Sequence, residues 1–248
     1  MGSAHRTEFY YQLSTINYQL STINYQLSTI NYQLISMSRS REPLISLALY
    51  HAFKQPIINP LFYLYLQGKV EGTEHIPKSG GFVVVSNHGS NFDPPLLSAA
   101  VLRPVAYMAK EELFEVPILK NAIKLYGAYP VKRGAVDRTT IKAALTYLEN
   151  GWGVGIFLSG TRTPDGRVVD PKPGAALIAA KAQVPLLPVS LWGTHSIEQK
   201  GKRFPQSTPI TIRIGELIPP PTATKRSELD RVTALCTTTI NELHALGR

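Results

Sequence analysis

The chain has 248 residues, 44% of them hydrophobic and 17% charged, so it is long enough to bury one sizeable core and is neither disordered nor fibrous. Its formal net charge of +9 favours anionic partners such as nucleic acid, anionic lipid or a phosphorylated substrate. The single cysteine, Cys236, excludes an internal disulfide and a cysteine-cluster metal site, which indicates a reducing compartment.

The N-terminal segment contains a perfect repeat. Residues 11–31 are three copies of Tyr-Gln-Leu-Ser-Thr-Ile-Asn, and residues 32–34 begin a fourth. Leucine and isoleucine alternate at spacings of three and four, as in a coiled coil, but the repeat has no charges to pair between helices and few strong helix formers. The DNA string TATCAAC, written three times and read in frame, encodes the same peptide. We therefore interpret residues 1–36 as a translated repeat or disordered extension without a targeting signal, with Met37 as the working start.

An apolar segment follows, from Pro43 to Gln67, in which Lys54 is the one formally charged side chain. A helix spanning a membrane would place this lysine at its centre, at a cost of about 2.5–3.5 kcal/mol. Two short interfacial helices broken at Pro56 and Pro60 fit the sequence better, because the tyrosines suit the headgroup level and the lysine can reach water. Buried core helices are the alternative. We expect residues 37–70 to be a membrane-interfacial helical segment.

Beyond Gly68, short apolar runs alternate with helical stretches. The predicted strands are Gly81 to Ser86, Pro104 to Met108, Ala128 to Val131, Gly153 to Leu158, Leu186 to Leu191 and Ile210 to Ile214. The predicted helices are Pro94 to Val101, Val116 to Leu125, Arg138 to Asn150, Gly174 to Ala182 and Ser227 to Leu246. The last begins with Ser227 and Asp230, a relative of the capping box with aspartate in place of glutamate, and ends at Gly247. This alternation predicts a single α/β domain, residues 71–248, with a largely parallel central sheet flanked by helices.

The first predicted strand is followed by His88 and, five residues later, by Asp93. Loops after strand ends carry reacting groups in such folds. A neutral imidazole can act as a general base on a hydroxyl, and an aspartate can hold its other ring nitrogen and stabilise the imidazolium. A structural role is the alternative, because Asp93 before Pro94 also makes a good helix N-cap. Both roles can hold at once.

Two later strands lead into loops that carry arginines. Arg133 follows one strand and Arg162 follows another, next to Gly160. Two arginines at neighbouring strand ends can bind one phosphate, and Gly160 leaves room for backbone N–H groups to approach it. Lys110 follows a third strand and is a further candidate cation. Taken singly, each of these cations also fits a solvated surface residue.

The segments that carry the histidine, the aspartate and the arginines resemble, in their order along the chain, the sequence blocks of the glycerolipid acyltransferase family, typified by 1-acylglycerol-3-phosphate acyltransferase. The resemblance extends over roughly residues 72–215, and its blocks are Asn87 to Asp93, Gly127 to Arg133, Phe157 to Arg162 and Val184 to Val189. The first block matches the family's catalytic His-x-x-x-x-Asp. The arginine of the second is associated with the acceptor phosphate, the third is usually Phe-Pro-Glu-Gly-Thr-Arg, and the fourth is linked to handling of the acyl donor.

The resemblance implies a 1-acylglycerol-3-phosphate acyltransferase of phospholipid biosynthesis. Such an enzyme moves an acyl chain from acyl-CoA or an acyl-carrier protein to the sn-2 hydroxyl of lysophosphatidic acid, without metal or cofactor. His88 would be the general base oriented by Asp93, and the substrate-binding residues would be Lys110, Arg133, Ser159, Gly160, Thr161 and Arg162. We expect a peripheral or monotopic protein that binds the anionic membrane surface on the cytoplasmic face. Nucleic acid is not expected, because aromatic residues are not interleaved with the basic runs.

The third block departs from the family pattern, with Leu158 in place of proline and Ser159 in place of glutamate. Losing a carboxylate beside a phosphate removes a repulsion, but a serine is too short to orient Arg162 if the usual glutamate does so. Three alternatives stay open: an acyltransferase for another lysophospholipid, a catalytically weak membrane or acyl-lipid binder, and a serine esterase using Ser159 or Ser190. The esterase is disfavoured because neither serine lies in Gly-x-Ser-x-Gly.

Overall fold

The computed structural model describes residues 58–110, 128–131, 138–198 and 204–248, together with Gln19, Phe114, Glu115 and Lys202. Apart from Gln19, these residues belong to one compact unit, Arg39–Arg248. The predicted helix Val116 to Leu125 lies outside the described residues, as do the N-terminal repeat apart from Gln19 and the apolar segment before residue 58.

The described part of the chain contains seven strands in one sheet. They are β1 (Lys69–Glu71), β2 (Phe82–Ser86), β3 (Val105–Lys110), β4 (Tyr129–Val131), β5 (Gly153–Phe157), β6 (Leu186–Trp192) and β7 (Thr211–Ile214). Their order is β1-β7-β6-β2-β5-β3-β4, and every neighbouring pair is parallel except β6 and β7. The predicted α/β fold with a largely parallel sheet is confirmed.

The described helices flank this sheet. The α-helices are α1 (Asp93–Val101), α2 (Arg138–Glu149), α3 (Gly174–Ala182) and α4 (Arg226–Ala245), and the shorter helices are a π-helical turn (Leu61–Tyr65) and two 3₁₀ turns (Thr73–His75 and Thr194–Ser196). The capping box predicted for α4 is wrong. Lys225 is the N-cap and Ser227 lies inside the first turn, where Asp230 pairs with Arg226 at 2.8 Å instead.

The two faces of the sheet carry separate cores, because successive side chains of a strand point to opposite faces. On one face Val83 and Val85 of β2 pack with apolar residues of α2, α3 and α4. On the other face Phe82 and Val84 pack with α1 and the π-helical turn. All five residues of β2 are buried, which explains its continuous apolar run.

The π-helical turn is buried on one side and exposed on the other. Phe62 and Leu66 are fully buried in the second core, whereas Leu64 is 79% exposed and its neighbours Tyr63 and Tyr65 are about half exposed. Helical residues run on through Pro60, the N-cap of the turn, so the predicted break at this proline does not occur. Proline is tolerated there because its ring fixes φ near the helical value, and Pro60 has φ −61° and ψ −41°. Among the described residues, no helix is both long and apolar enough to cross a membrane.

Candidate active site

Three loops meet at the carboxyl ends of β2, β5 and β6. Strand β2 lies between the other two, and all three run in the same direction. Their following loops, residues 87–92, 158–173 and 193–198, therefore begin at one edge of the sheet. Folds of this class bind ligands at that edge.

His88 and Asp93 form a hydrogen-bonded pair in the first loop. Nδ1 of His88 lies 2.7 Å from Oδ2 of Asp93, and the same oxygen accepts bonds from the backbone N–H groups of Gly89 at 2.7 Å and Ser90 at 2.9 Å. The Asp93 carboxylate is fully buried, whereas the His88 side chain is 18% exposed. An ionised carboxylate only accepts hydrogen bonds, so Nδ1 carries the proton and Nε2 is the basic atom of the neutral ring.

The Asp93 side chain does not cap α1, contrary to the alternative that the sequence allowed. The N-cap residue is Phe92, which makes no side-chain capping bond, and Asp93 is the first residue of the helix. Its carboxylate points back into the preceding loop, where it accepts the two backbone bonds. Asp93 therefore organises the turn that carries the histidine and also holds the imidazole.

An aromatic ring fixes the plane of His88. The imidazole stacks on Phe157, the last residue of β5, with ring centroids 4.0 Å apart and planes 14° apart. Tyr107 of β3 lies behind Phe157 at a centroid distance of 6.3 Å. The ring of His88 is thus held by a hydrogen bond at one nitrogen and by stacking on one face.

Asn87 ties the loops together, a role that sequence analysis missed. Its Oδ1 accepts from the N–H of Leu191 at 2.7 Å, and its Nδ2 donates to the carbonyls of Leu191 and Gly166. The N–H of Thr163 donates to the carbonyl of His88 at 2.8 Å. The loop after β5 is therefore held against the histidine. The only signal in the sequence is a polar residue directly after an apolar strand.

Arg162 pairs with a carboxylate that the sequence did not single out. Oε2 of Glu198 accepts from Nη1 of Arg162 at 3.3 Å, from Oγ of Ser90 at 2.9 Å and from the N–H of Asn91 at 2.7 Å. Its Oε1 accepts from Nδ2 of Asn91 at 2.7 Å. Partial burial acts to raise the pKa of Glu198, but the bonds from Asn91 and Ser90 and the charge of Arg162 outweigh it and lower the pKa. Glu198 is therefore a carboxylate at neutral pH.

Residues 159–161 form the turn that leads to Arg162. The buried Oγ of Ser159 accepts from the N–H of Val169 at 3.1 Å, which ties the two ends of the loop, and Thr161 is exposed. Gly160 has φ +67°, and an added Cβ would meet nothing within 4 Å. Its own N–H donates to the carbonyl of Phe157 at 3.0 Å. The positive φ thus favours glycine at position 160. The N–H of Gly160 already bonds within the turn, to the carbonyl of Phe157.

His88 and Asp93 contact each other, and Arg162 lies on a neighbouring loop that Glu198 links to theirs. Lys110 ends β3 and pairs in register with Val131 of β4, but its side chain lies outside the described residues, as does the whole of Arg133. The roles of these two cations therefore stay predictions. The expectation that both arginines follow neighbouring strands is wrong, because β3 lies between β4, which leads to Arg133, and β5, which leads to Arg162.

Neither serine of the esterase alternative has the environment of a nucleophile. Ser190 is fully buried within β6, and the hydroxyl of Ser159 accepts a hydrogen bond from the N–H of Val169. An activated serine needs a hydrogen-bonded base and an exposed hydroxyl. Within the described ranges, no group of three or more histidine, cysteine, aspartate or glutamate side chains is placed to hold a metal ion.

Comparison with known proteins shows the family and the fold. Residues 67–192, just over half of the chain, match the family described as Acyltransferase. The chain is 35% identical over 149 residues to the 1-acyl-sn-glycerol-3-phosphate acyltransferase of Bacillus subtilis, covering 60% of this chain and 72% of that protein. It is 34% identical over 145 residues to a chloroplastic 1-acyl-sn-glycerol-3-phosphate acyltransferase of Brassica napus, covering 56% of this chain but only 41% of that protein. The crystal structure of the 1-acyl-sn-glycerophosphate acyltransferase PlsC from Thermotoga maritima matches with a TM-score of 0.65 and 32% identity, over 79% of each chain.

Proposed function

The chain belongs to the acyltransferase family, and from this premise we propose that it acylates the sn-2 hydroxyl of 1-acyl-sn-glycerol 3-phosphate to give phosphatidic acid for phospholipid biosynthesis. The acyl donor in this proposal is a thioester, either acyl-CoA or an acyl-carrier protein. The names of the bacterial, plant and Thermotoga relatives support the acceptor.

The observation that carries the proposal is the contact between His88 and the buried Asp93. In the proposed reaction Nε2 of His88 takes the proton of the acceptor hydroxyl while the hydroxyl oxygen attacks the thioester carbonyl carbon. The tetrahedral intermediate collapses, the carbon–sulfur bond breaks, and the imidazolium returns the proton to the leaving thiolate. The carboxylate of Asp93 stabilises the imidazolium throughout. No acyl-enzyme forms in this mechanism.

In this proposal the acceptor phosphate binds to cations at the same edge of the sheet. Arg162 lies directly before Thr163, whose N–H is bonded to the carbonyl of His88. The turn of residues 159–161 sets the path of the chain into this arginine, and Lys110 and Arg133 join it as predicted from the sequence. Arginine suits the role because its planar guanidinium forms paired bonds to phosphate.

We further propose that residues 37–70 seat the enzyme on an anionic membrane at the cytoplasmic face, with residues 1–36 as an extension and 71–248 as the acyltransferase domain. Support comes from the exposed side of the π-helical turn, Tyr63, Leu64 and Tyr65. Tyrosine and leucine side chains partition into the interface, and the net charge of +9 attracts anionic lipid.

The test is acylation of lysophosphatidic acid by the purified full chain, supplied with a long-chain acyl thioester, with the lipid products resolved by mass. His88→Ala should lower turnover by about 10²- to 10⁴-fold, the usual contribution of a general base. His75→Gln is the matched control, since His75 bonds the carbonyl of Ile214 and lies outside the three loops. Wild-type turnover by His88→Ala, or no acylation by a folded wild type that still binds anionic vesicles, would contradict the proposal.

A further inference from the structure

Glu198 links the loop that carries the histidine to the loop that carries Arg162. Three of its four bonds go to residues 90–91, between His88 and Asp93, and the fourth goes to the guanidinium of Arg162. Its own loop follows β6, so a single carboxylate connects all three loops of the site.

The bonding of this carboxylate is nearly saturated. A carboxylate offers about four acceptor positions, and Ser90, Asn91 and Arg162 supply four donors. Glu198 therefore has few free acceptor positions, and the guanidinium of Arg162 offsets its charge toward an incoming anion. The three bonds to the loop of His88 also fix the position of the carboxylate independently of the conformation of Arg162.

Arg162, in contrast, has one bond to Glu198 among the described residues, through Nη1, and its side chain is 48% exposed. A guanidinium has five N–H donors, so most of them stay available to a ligand. Because the exposed arginine would otherwise sample many rotamers, a fixed carboxylate on one side limits its motion and leaves its other edge for the acceptor.

We propose that Glu198 is a positioning residue, which acts through Arg162 to hold the acceptor phosphate beside His88. This inference rests on the proposed phosphorylated acceptor. It assigns no part in the chemical step to Glu198, so its effect falls on acceptor binding and not on the attack itself.

The test is equilibrium binding of 1-hexanoylglycerol 3-phosphate, a monomeric short-chain acceptor, and of 1-hexanoylglycerol, the same lipid without phosphate. Glu198→Gln keeps the size and, through its carbonyl oxygen, the bonds from Ser90 and the N–H of Asn91. Its NH₂ group replaces the oxygen that accepted from the exposed Asn91 amide, and the charge that attracts Arg162 is removed. We expect two- to fivefold weaker binding of the phosphorylated lipid, about the contribution of a half-exposed ion pair, and unchanged binding of the other. Glu228→Gln is the matched control, because Glu228 also pairs with an arginine, Arg231, but on α4.

A double-mutant cycle separates positioning from a merely structural role. In the Arg162→Ala background, Glu198→Gln should cause no further loss of binding, and the melting temperature should be unchanged. Additive losses, an equal loss for the lipid without phosphate, or a wild type that binds both lipids equally would each overturn the inference. If Glu198→Gln does not fold, Glu198→Asp, which keeps the charge and shortens the reach, is judged by the same criteria.

Turnover, measured on the same preparations, tests the proposed reaction separately. A wild type that prefers the phosphorylated lipid but acylates nothing would contradict the reaction, while the binding cycle would still decide the part played by Glu198.

Discussion

Asp93 illustrates at the residue scale how one oxygen serves structure and chemistry together. Its Oδ2 receives the ring N–H of His88 and two backbone N–H groups. We predict that Asp93→Asn lowers kcat by at least about 10²-fold, because a neutral amide stabilises no imidazolium and its NH₂ group favours the wrong tautomer of the histidine. The KM for lysophosphatidic acid should change little, since the acceptor phosphate is held elsewhere.

Steady-state kinetics of the two variants Asp93→Asn and Asp230→Asn would check this prediction. Asp230 is a half-exposed residue of α4 that pairs with Arg226, so its amide variant controls for the loss of one negative charge. A kcat within a few fold of wild type for Asp93→Asn would show that the imidazolium needs no partner here.

The residues of the site were predictable to the extent that they follow strands. His88 and Asp93 lie in the loop after β2 and at its end, and Arg162 lies in the loop after β5, within motifs that the sequence shows; parallel strands bring such loops to one edge. Glu198 lies a few residues beyond its strand and resembles no motif. Its contacts with Ser90, 108 residues earlier in the chain, exist only in the tertiary structure.

At the scale of the elements, strand β5 shows why small residues are placed opposite large ones. Gly155 pairs in register with Tyr107 of β3, and an added Cβ would lie 2.2 Å from the Tyr107 ring. Gly153 similarly faces the ring of Phe82, at 2.9 Å. The glycines of β5 thus make room for the aromatic rings of its two neighbours.

We predict that Gly155→Ala lowers the free energy of unfolding by about 1–3 kcal/mol, because the Tyr107 ring must move within a packed core. Denaturant unfolding followed by circular dichroism measures this change. Gly174→Ala is the matched control, since an added Cβ there meets nothing within 4 Å and should cost almost nothing. Equal stability of the two variants would mean that the Tyr107 ring adjusts freely.

Element boundaries were predicted well where length and apolar content agree. All four described α-helices begin and end within one residue of the prediction, since each has a clear apolar face or a breaker at its end. Strand β1 was not predicted. Its three residues, Lys-Val-Glu, have no strand pattern of their own and are ordered by pairing with β7 far along the chain.

At the scale of the whole molecule, a buried histidine should make stability depend on pH. His244, near the end of α4, is buried, and its Nε2 has no hydrogen-bond partner in the described part of the chain. Burial, together with the charges of Arg167, His195 and Arg213, lowers the pKa of His244 against the opposing effect of Asp165. Folding therefore favours the neutral ring.

The sign of the effect follows from linkage. Because the folded pKa of His244 lies below the unfolded value of about 6.5, its contribution to stability is complete above that pH and is lost as pH falls through the folded pKa. We predict that the free energy of unfolding decreases from pH 7.5 to 5.5 and that His244→Leu reduces this decrease. Denaturant unfolding of the wild type and the variant at pH 7.5 and 5.5 measures this decrease. An unchanged pH dependence in the variant would exclude His244 as the source.

Glu228 and Glu71 do not contribute to the pH dependence between pH 7.5 and 5.5. Hydrogen bonding and the charge of Arg231 lower the pKa of Glu228 to about 2 despite partial burial, so its pair with the arginine breaks only in strong acid. The pKa of Glu71 is also lowered, first by its bond with Lys69 and also by Arg213.

The pairing of β1 with β7 has a consequence for how the chain is made. Glu71 meets Arg213 across 142 residues of sequence, and the N–H of Ile210 closes the same edge on the carbonyl of Leu66. A ribosome adds about 5–20 residues per second, so the first strand waits on the order of ten seconds for its partner to be translated. During that time the core that Phe62 and Leu66 enter is incomplete, because its members Ile210, Ile212 and Ile214 have not been made. We therefore expect the nascent N-terminal half to expose part of this apolar surface until β7 is made, and a chaperone or a bilayer surface would cover it in the meantime.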